Sequence, residues 1–174
     1  HRLGHDRIAI ITGNVNTSTA ILRTKGSMKA LSDYGAKVNR DLIVEGRYQR
    51  QVAFEAARRL IAMKESPTAY FAQDDYMAMG IREALFEEGL RIPEDVALMG
   101  FDDTEIASFA GIDLTTISQK KYEMGAMGAK ILIDKIEQRP PGVVTQLILD
   151  PGLIIRKSCG HSQRGYARPP FHPE

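Results

Sequence analysis

The sequence predicts an α/β fold, an open and mostly parallel sheet flanked by helices, and three observations carry that expectation. Short apolar runs recur along the chain and read as buried strands. Between them lie stretches whose apolar residues return every three or four positions, the period of a helix packed on one face. Two of the runs end in paired acids, Asp74-Asp75 after Ala69-Tyr70-Phe71-Ala72, and Asp102-Asp103 after Val96 to Phe101. The segment joining them reads strand, helix, strand. A right-handed crossover makes such strands parallel and brings both acid pairs to their carboxyl edge, where open α/β sheets bind ligands.

Ile8-Ala9-Ile10-Ile11 is the first strand, apolar, largely β-branched and ending in Thr12-Gly13-Asn14. Thr17, Ser18 and Thr19 offer caps for a helix that runs through Arg23, Met28 and Leu31 to a stop at Tyr34-Gly35. Leu42-Ile43-Val44 is the second strand. Val52, Ala53, Ala56, Ala57, Leu60 and Ile61 form the apolar stripe of the next helix, which ends before Ser66-Pro67. Residues 69–72 are the third strand. Met77, Ile81, Ala84 and Leu85 line a helix closed at Gly89, and Pro93 precedes a fourth strand over residues 96–99. After Phe101 the alternation breaks. Residues 105–111 are short and apolar on one side, 114–118 are extended, and Met124 to Glu137 is a helix stopped by Pro140-Pro141. Gln146-Leu147-Ile148-Leu149 and Leu153-Ile154-Ile155 read as two more strands around Asp150-Pro151-Gly152. The tail from His161 has no apolar period and is expected to be mobile.

Composition narrows the function classes. With 174 residues and a hydrophobic fraction of 43%, the chain can bury one ordinary core. The net charge is +1, so any nucleic acid is bound by another segment. Cys159 is the single cysteine, which excludes an internal disulfide or a cysteine metal cluster and suits a reducing, cytoplasmic location. No apolar run approaches the roughly 20 residues of a membrane span, and no signal-peptide pattern opens the chain. Because the chain starts at His1 on a helix-end-like Leu3-Gly4-His5, it is expected to be a piece of a longer polypeptide.

No phosphate-cradling glycine loop is present, since Gly125-Ala126-Met127-Gly128 lies inside a helix. The histidines, His1, His5, His161 and His172, sit near the termini and form no triad or metal motif. The acid pairs could grip hydroxyls or amines, hold a metal, or cap helices. Asp75 and Asp103 are expected as N-cap or first-turn residues, with Asp74 and Asp102 turned earlier, toward the crevice. Arg23 on an amphipathic helix reads first as a solvated face, and Tyr48, after Gly46-Arg47, as a packing residue that could also stack on a ligand.

Taken together, Gly4-His5-Asp6-Arg7-Ile8-Ala9, Arg23-Thr24-Lys25-Gly26, Pro67-Thr68-Ala69, Asp75-Tyr76-Met77-Ala78-Met79-Gly80, Ile92-Pro93-Glu94-Asp95-Val96, Gly100-Phe101-Asp102-Asp103 and Leu114-Thr115-Thr116-Ile117-Ser118-Gln119 come in the order and spacing of a known family. Over Leu3 to Ser158 the chain resembles the lactose/galactose repressor (LacI/GalR) family. The resemblance implies a periplasmic-binding-protein-like fold of type I, here incomplete at its N-terminal side. Residues 1–112 would be the C-terminal subdomain of an effector-binding module. Residues 113–143 would supply a crossover strand and a helix of the N-terminal subdomain, 144–160 the return strands, and 161–174 the tail. The helix after the crossover would then lack cover for its apolar face.

Carried over residue by residue, Arg23 matches the arginine that forks onto ligand hydroxyls or carboxylate, and Asp102 the aspartate that accepts from hydroxyls or amines. Tyr48 matches an aromatic stacking position, and Thr17 and Thr19 lie in a loop that often touches the ligand. Asp74 departs from the family, where an amide or another polar residue is common; an ionised carboxylate only accepts. The family's dimer contacts fall on Met79, Arg82, Glu83, Ile106 and Phe109. The implied function is the effector-sensing and dimerisation part of a bacterial repressor, with no enzymatic activity, cofactor, metal or membrane contact. Its effector would be a small metabolite, foremost a sugar. Thr104 to Phe109 resembles ribose-responsive members and adds a pentose to the candidates, ahead of a purine. Operator DNA would be read by a helix-turn-helix outside this chain. Two rivals remain open at this stage: a sugar-binding transport protein with the same fold, and a magnesium-dependent phosphoryl enzyme using Asp74 and Asp102.

Overall fold

A computed structural model describes residues 1–36, 38–137 and 147–161. Its framework is a four-stranded parallel sheet of β1 (Ile8–Thr12), β2 (Ile43–Glu45), β3 (Ala69–Ala72) and β4 (Ala97–Met99), in the order β2-β1-β3-β4. Ile10 lies opposite Ile43, Ile8 opposite Ala69, and Ala69 opposite Ala97. The helices that complete the alternation are α1 (Ser18–Asp33), α2 (Arg50–Ile61) and α3 (Asp75–Glu87). All the expected βα units form. Leu42 belongs to a 3-10 turn that leads into β2, and Val96 precedes β4.

Strand alternation puts Ala9, Ile11, Tyr70, Ala72 and Leu98 on one sheet face, and these join one core cluster with α2 and α3. The helices reach the sheet through small residues. Ala53, Ala56 and Ala57 of α2 and Ala78 and Ala84 of α3 are fully buried, and a Cβ on Gly80 would run into the carbonyl of Arg50. The backbones therefore approach closely, and Leu60, Ile81 and Leu85 fill the space around them. Burying each of these is worth roughly 1.5–3 kcal/mol. On the other helix flank, α1 buries only Ala20 completely and leaves Ile21 and Leu22 exposed.

Beyond β4 the chain crosses out of the sheet. Thr115 forms a parallel bridge to Met99, after which β5 (Thr116–Ser118) pairs antiparallel with β6 (Gly152–Ile154). Ser158 staples this return segment in place: its hydroxyl donates to the Leu98 carbonyl at 2.6 Å and accepts from the Thr115 N–H at 2.8 Å. Between the two strands runs α4 (Lys121–Ile136), with no buried residue, so its apolar face is uncovered as expected. It starts three residues before Met124, after Lys120 in the left-handed conformation.

The expected strand over residues 146–149 is a correction. Gln146 lies outside the described residues, and 147–149 are not in strand; Leu147 and Ile148 are exposed and nothing among the described residues pairs with them. A run of apolar residues becomes a strand only where a neighbour completes its hydrogen bonds. The strand expected at 153–155 is β6, one residue earlier. Apart from His161, the predicted tail lies outside the described residues. No helix among the described residues is long and apolar enough to cross a membrane.

Candidate functional site

At the carboxyl edge of the sheet, the loops after β1, β2, β3 and β4 converge with the first turns of α1. Arg23 on α1 is fixed from three sides. Its Nη1 donates to the Gln73 carbonyl at 2.6 Å, its guanidinium stacks 3.7 Å from the centre of the Phe101 ring, and its Nη2 lies 3.6 Å from Asp102 Oδ1. A planar fork held this way presents its free edges in one direction. Gln73, fully buried, organises the floor: its Nε2 donates to Thr24 Oγ1 at 2.8 Å, and its Oε1 accepts from the Gly13 N–H at 2.9 Å. Gln73 and Phe101 escaped the sequence reading. Gln73 follows directly on β3 and Phe101 stands two residues after β4, each just before an acid pair, which was the available signal.

Tyr48 is half-buried and lies over Gly13, its ring filling the volume a Cβ there would need. Its hydroxyl is 3.3 Å from Thr19 Oγ1. Thr17 is the α1 cap: its hydroxyl accepts from the Ala20 N–H and donates to the Asn14 carbonyl at 2.7 Å. Packing, one of the two readings of Tyr48, is therefore realised, while its edge still faces Thr19.

The four aspartates divide differently from expectation. Asp74, not Asp75, caps α3, its Oδ1 accepting from the Met77 N–H at 2.6 Å. Asp75 is fully buried and accepts from the Thr104 N–H at 2.7 Å, Thr104 Oγ1 at 2.9 Å and Thr116 Oγ1 at 2.6 Å. It stands in the first turn of α3, one of the two places expected for it, and is structural as a tie between α3 and the crossing strand rather than as a cap. Asp103 caps nothing either; it pairs with Arg156 Nη2 at 2.8 Å. The reason is one of register. At α3 the helix begins on the second residue of the acid pair, so the first carboxylate, at the cap, faces the free N–H groups and the second turns into the core. Burial pushes the Asp74 carboxyl above its ordinary pKa, and the charges of Asp102 and Asp75 push it further, against the Met77 N–H and Arg23. Asp102 is also raised by burial, opposed by Arg23 and by Gln119, which donates to its Oδ1.

Backbone strain marks the same region. Among the described residues, the non-glycines with positive φ are Arg47, Tyr48, Asp102, Asp103, Asp113 and Lys120. The first four form the loops after β2 and β4, and the last two bracket β5. Each such residue costs on the order of 1–3 kcal/mol and persists where surroundings enforce it, typically at ligand clamps and hinges.

A second surface lies along α3 and the segment after Asp103. Arg82 Nη2 donates to the Gly111 carbonyl at 3.1 Å, which ties α3, with the predicted contact residues Met79, Arg82 and Glu83, to the stretch just after Phe109. Glu83 pairs with Arg50. Beside them opens a cavity of about 660 Å³, lined by Met79, Phe86, Leu90, Ile92, Ile112 and Leu114 among others. Phe86, which lines this cavity, is 77% exposed, and Phe109 is 49% exposed. Phe86 was missed in the sequence because a lone aromatic on an amphipathic helix reads as core. Among the described residues no cluster of three or more His, Cys, Asp or Glu is arranged to hold a metal.

An open parallel sheet presenting an arginine, carboxylates, hydroxyls and aromatic faces at one strained edge defines the class of α/β small-molecule-binding modules. Residues 1–159 match the periplasmic binding protein-like domain, and the chain belongs to that family. Within it, the chain corresponds to the carboxyl-terminal effector-binding part of LacI-family regulators. It is 38% identical over 157 residues to an HTH-type transcriptional repressor PurR of Haemophilus influenzae, covering 89% of this chain and 47% of that protein. Among solved structures it resembles the transcriptional regulator CelR in complex with cellobiose, with TM-score 0.82, 31% identity, 90% of this chain and 48% of that one covered. The Lac repressor bound to ONPG in its repressed state gives TM-score 0.81 and 29% identity, covering 90% and 47%. The chain thus spans about half the length of the relatives it matches.

Proposed function

We propose that this chain is the effector-sensing and dimerisation part of a bacterial DNA-binding repressor. A small metabolite, foremost a sugar, is taken at the edge where Arg23 faces Asp102, with Tyr48, Asp74, Thr19 and Thr17 around it, and its binding alters operator affinity. The observation that carries this is the pairing of a fixed guanidinium with a half-buried carboxylate across the strand ends. A guanidinium offers parallel donors and a carboxylate only acceptors, so a polyol whose hydroxyls do both is oriented from two sides. The likeness to a cellobiose-binding regulator supports a sugar.

Residues 1–112 form the C-terminal subdomain, 113–143 the crossing strand and a helix of the other subdomain, and 144–160 the return. The uncovered α4 supports that division. The protein acts as a cytoplasmic homodimer through Met79, Arg82, Glu83, Ile106 and Phe109, a face supported by the exposed Phe109 and the cavity beside it. It is not an enzyme, and it reads DNA through a helix-turn-helix outside this chain. The effector acts by preferring one of two conformations.

The test is made in the full-length regulator. A thermal-shift panel of pentoses, hexoses, polyols and purines first identifies the effector. Arg23→Ala and Asp102→Ala are then each expected to weaken it by roughly 10- to 100-fold, the worth of a lost charged hydrogen bond. Operator affinity without effector should stay unchanged in fluorescence anisotropy. A retained effector response in both variants overturns the site.

A further inference from the structure

The turn that carries Asp102 is built almost entirely by the crossing segments. Asp102 and Asp103 are successive left-handed residues, with φ of 108° and 49°, a conformation that side chains disfavour and that outside contacts must hold. The Asp102 N–H donates to the Ile117 carbonyl at 2.8 Å, and the Asp103 N–H to Thr116 Oγ1 at 3.3 Å. Gln119 donates to the Asp102 carboxylate, and Arg156 to that of Asp103 at 2.8 Å. On the carbonyl side one cation does the work: Lys121 Nζ donates to the Asp102 oxygen at 2.7 Å and to the Asp103 oxygen at 3.0 Å.

We infer that Lys121 is a positioning residue that couples the Asp102 turn to α4. Resting on the effector site proposed above, the inference adds how that site communicates with the rest of the module. Lys121 opens α4, directly after the left-handed Lys120, so the helix axis and the turn share one ammonium group. Two N–H···O contacts near 3 Å tolerate little displacement before they weaken. A swing of α4 beyond what the flexible stem of Lys121 can follow therefore withdraws the partner of both carbonyls, and the turn loses one of the contacts that hold it. The coupling is reciprocal: an effector that fixes the Asp102 carboxylate fixes the carbonyls behind it and with them the start of α4.

Hydrogen exchange of residues 100–104, followed by mass spectrometry in the full-length protein, tests this without an effector. Lys121→Met is expected to speed exchange there about fivefold, the smaller effect of losing a donor that is exposed to water, while segments in α2 and α3 stay unchanged and Lys121→Arg restores protection. Unchanged exchange at 100–104, or equal acceleration across α2 and α3, overturns the inference. Operator release is then titrated with D-ribose, cellobiose and hypoxanthine. Loss of response in Asp102→Ala with normal exchange in Lys121→Met sinks the coupling alone. Faster exchange in Lys121→Met with a full response in Asp102→Ala sinks the effector site and leaves the coupling standing.

Discussion

Asp74 and Asp102 are two half-buried carboxylates served by one arginine, and that imbalance gives the edge a pH signature. Burial raises both above the ordinary carboxylate value, and the charge of Asp102 adds to the rise at Asp74. A carboxyl whose pKa is higher folded than unfolded binds its proton more tightly in the folded state. Its contribution is favourable below the ordinary value and is lost as pH rises through the raised one. At neutral pH, with both ionised, the ligand-free protein therefore carries a cost. Asp74→Asn keeps the cap, since asparagine accepts from an N–H equally well, and removes one charge. Its urea midpoint is expected above wild type at pH 7, with the gain shrinking as pH falls through the raised carboxyl value. A gain that is the same at pH 4 and pH 7 would assign it to something other than charge. Which of the neighbours Asp74 and Asp75 caps was not legible in the sequence, because a one-residue shift in helix start exchanges their roles. That an acid would cap there was legible, from composition and spacing alone.

At the scale of elements, close approach of α2 and α3 decides the core, and Gly80 permits it. Glycine inside a helix costs about 1 kcal/mol relative to alanine, so Gly80→Ala would be a gain on a free surface. Here the added methyl meets the Arg50 carbonyl and the Phe54 nitrogen, both backbone atoms that cannot rotate away. Overpacking of this kind costs about 1–3 kcal/mol and outweighs the propensity gain. We expect Gly80→Ala to lower the unfolding free energy by roughly 1–2 kcal/mol in urea titration, and Gly80→Val by more. Stabilisation by Gly80→Ala would show that the helices can separate freely. The βα units were legible because each carries its own period and stop signals, as in Ala53 to Leu60 before Ser66-Pro67. The 147–149 segment and the Ser158 staple were not. A strand needs a partner and a buried serine needs a particular carbonyl, and both are properties of the assembled chain.

For the whole molecule, α4 states what the described residues leave unsatisfied. Ile131, Leu132, Ile133 and Ile136 are between 44% and 71% exposed and point to several sides of one helix, and Met124 and Met127 extend the surface. A helix apolar over so much of its circumference belongs in an interior, and one of 16 residues is marginal without packing. A Cβ added at Gly125 or Gly128 on the same helix would meet nothing within 4 Å outside the helix among the described residues, leaving space for another element to come close. On the proposed division of the module, that cover is the rest of the N-terminal subdomain. Ile131→Glu with Ile136→Glu in the full-length regulator should then lower stability by about 3–6 kcal/mol, the transfer of two large side chains out of a core. In the 174-residue chain, where both already face water, the same pair should change unfolding by no more than about 0.5 kcal/mol and reduce binding of a hydrophobic dye. Equal, small effects in both settings would mean that α4 remains exposed in the complete protein, and the assignment of residues 113–143 to the second subdomain would fall.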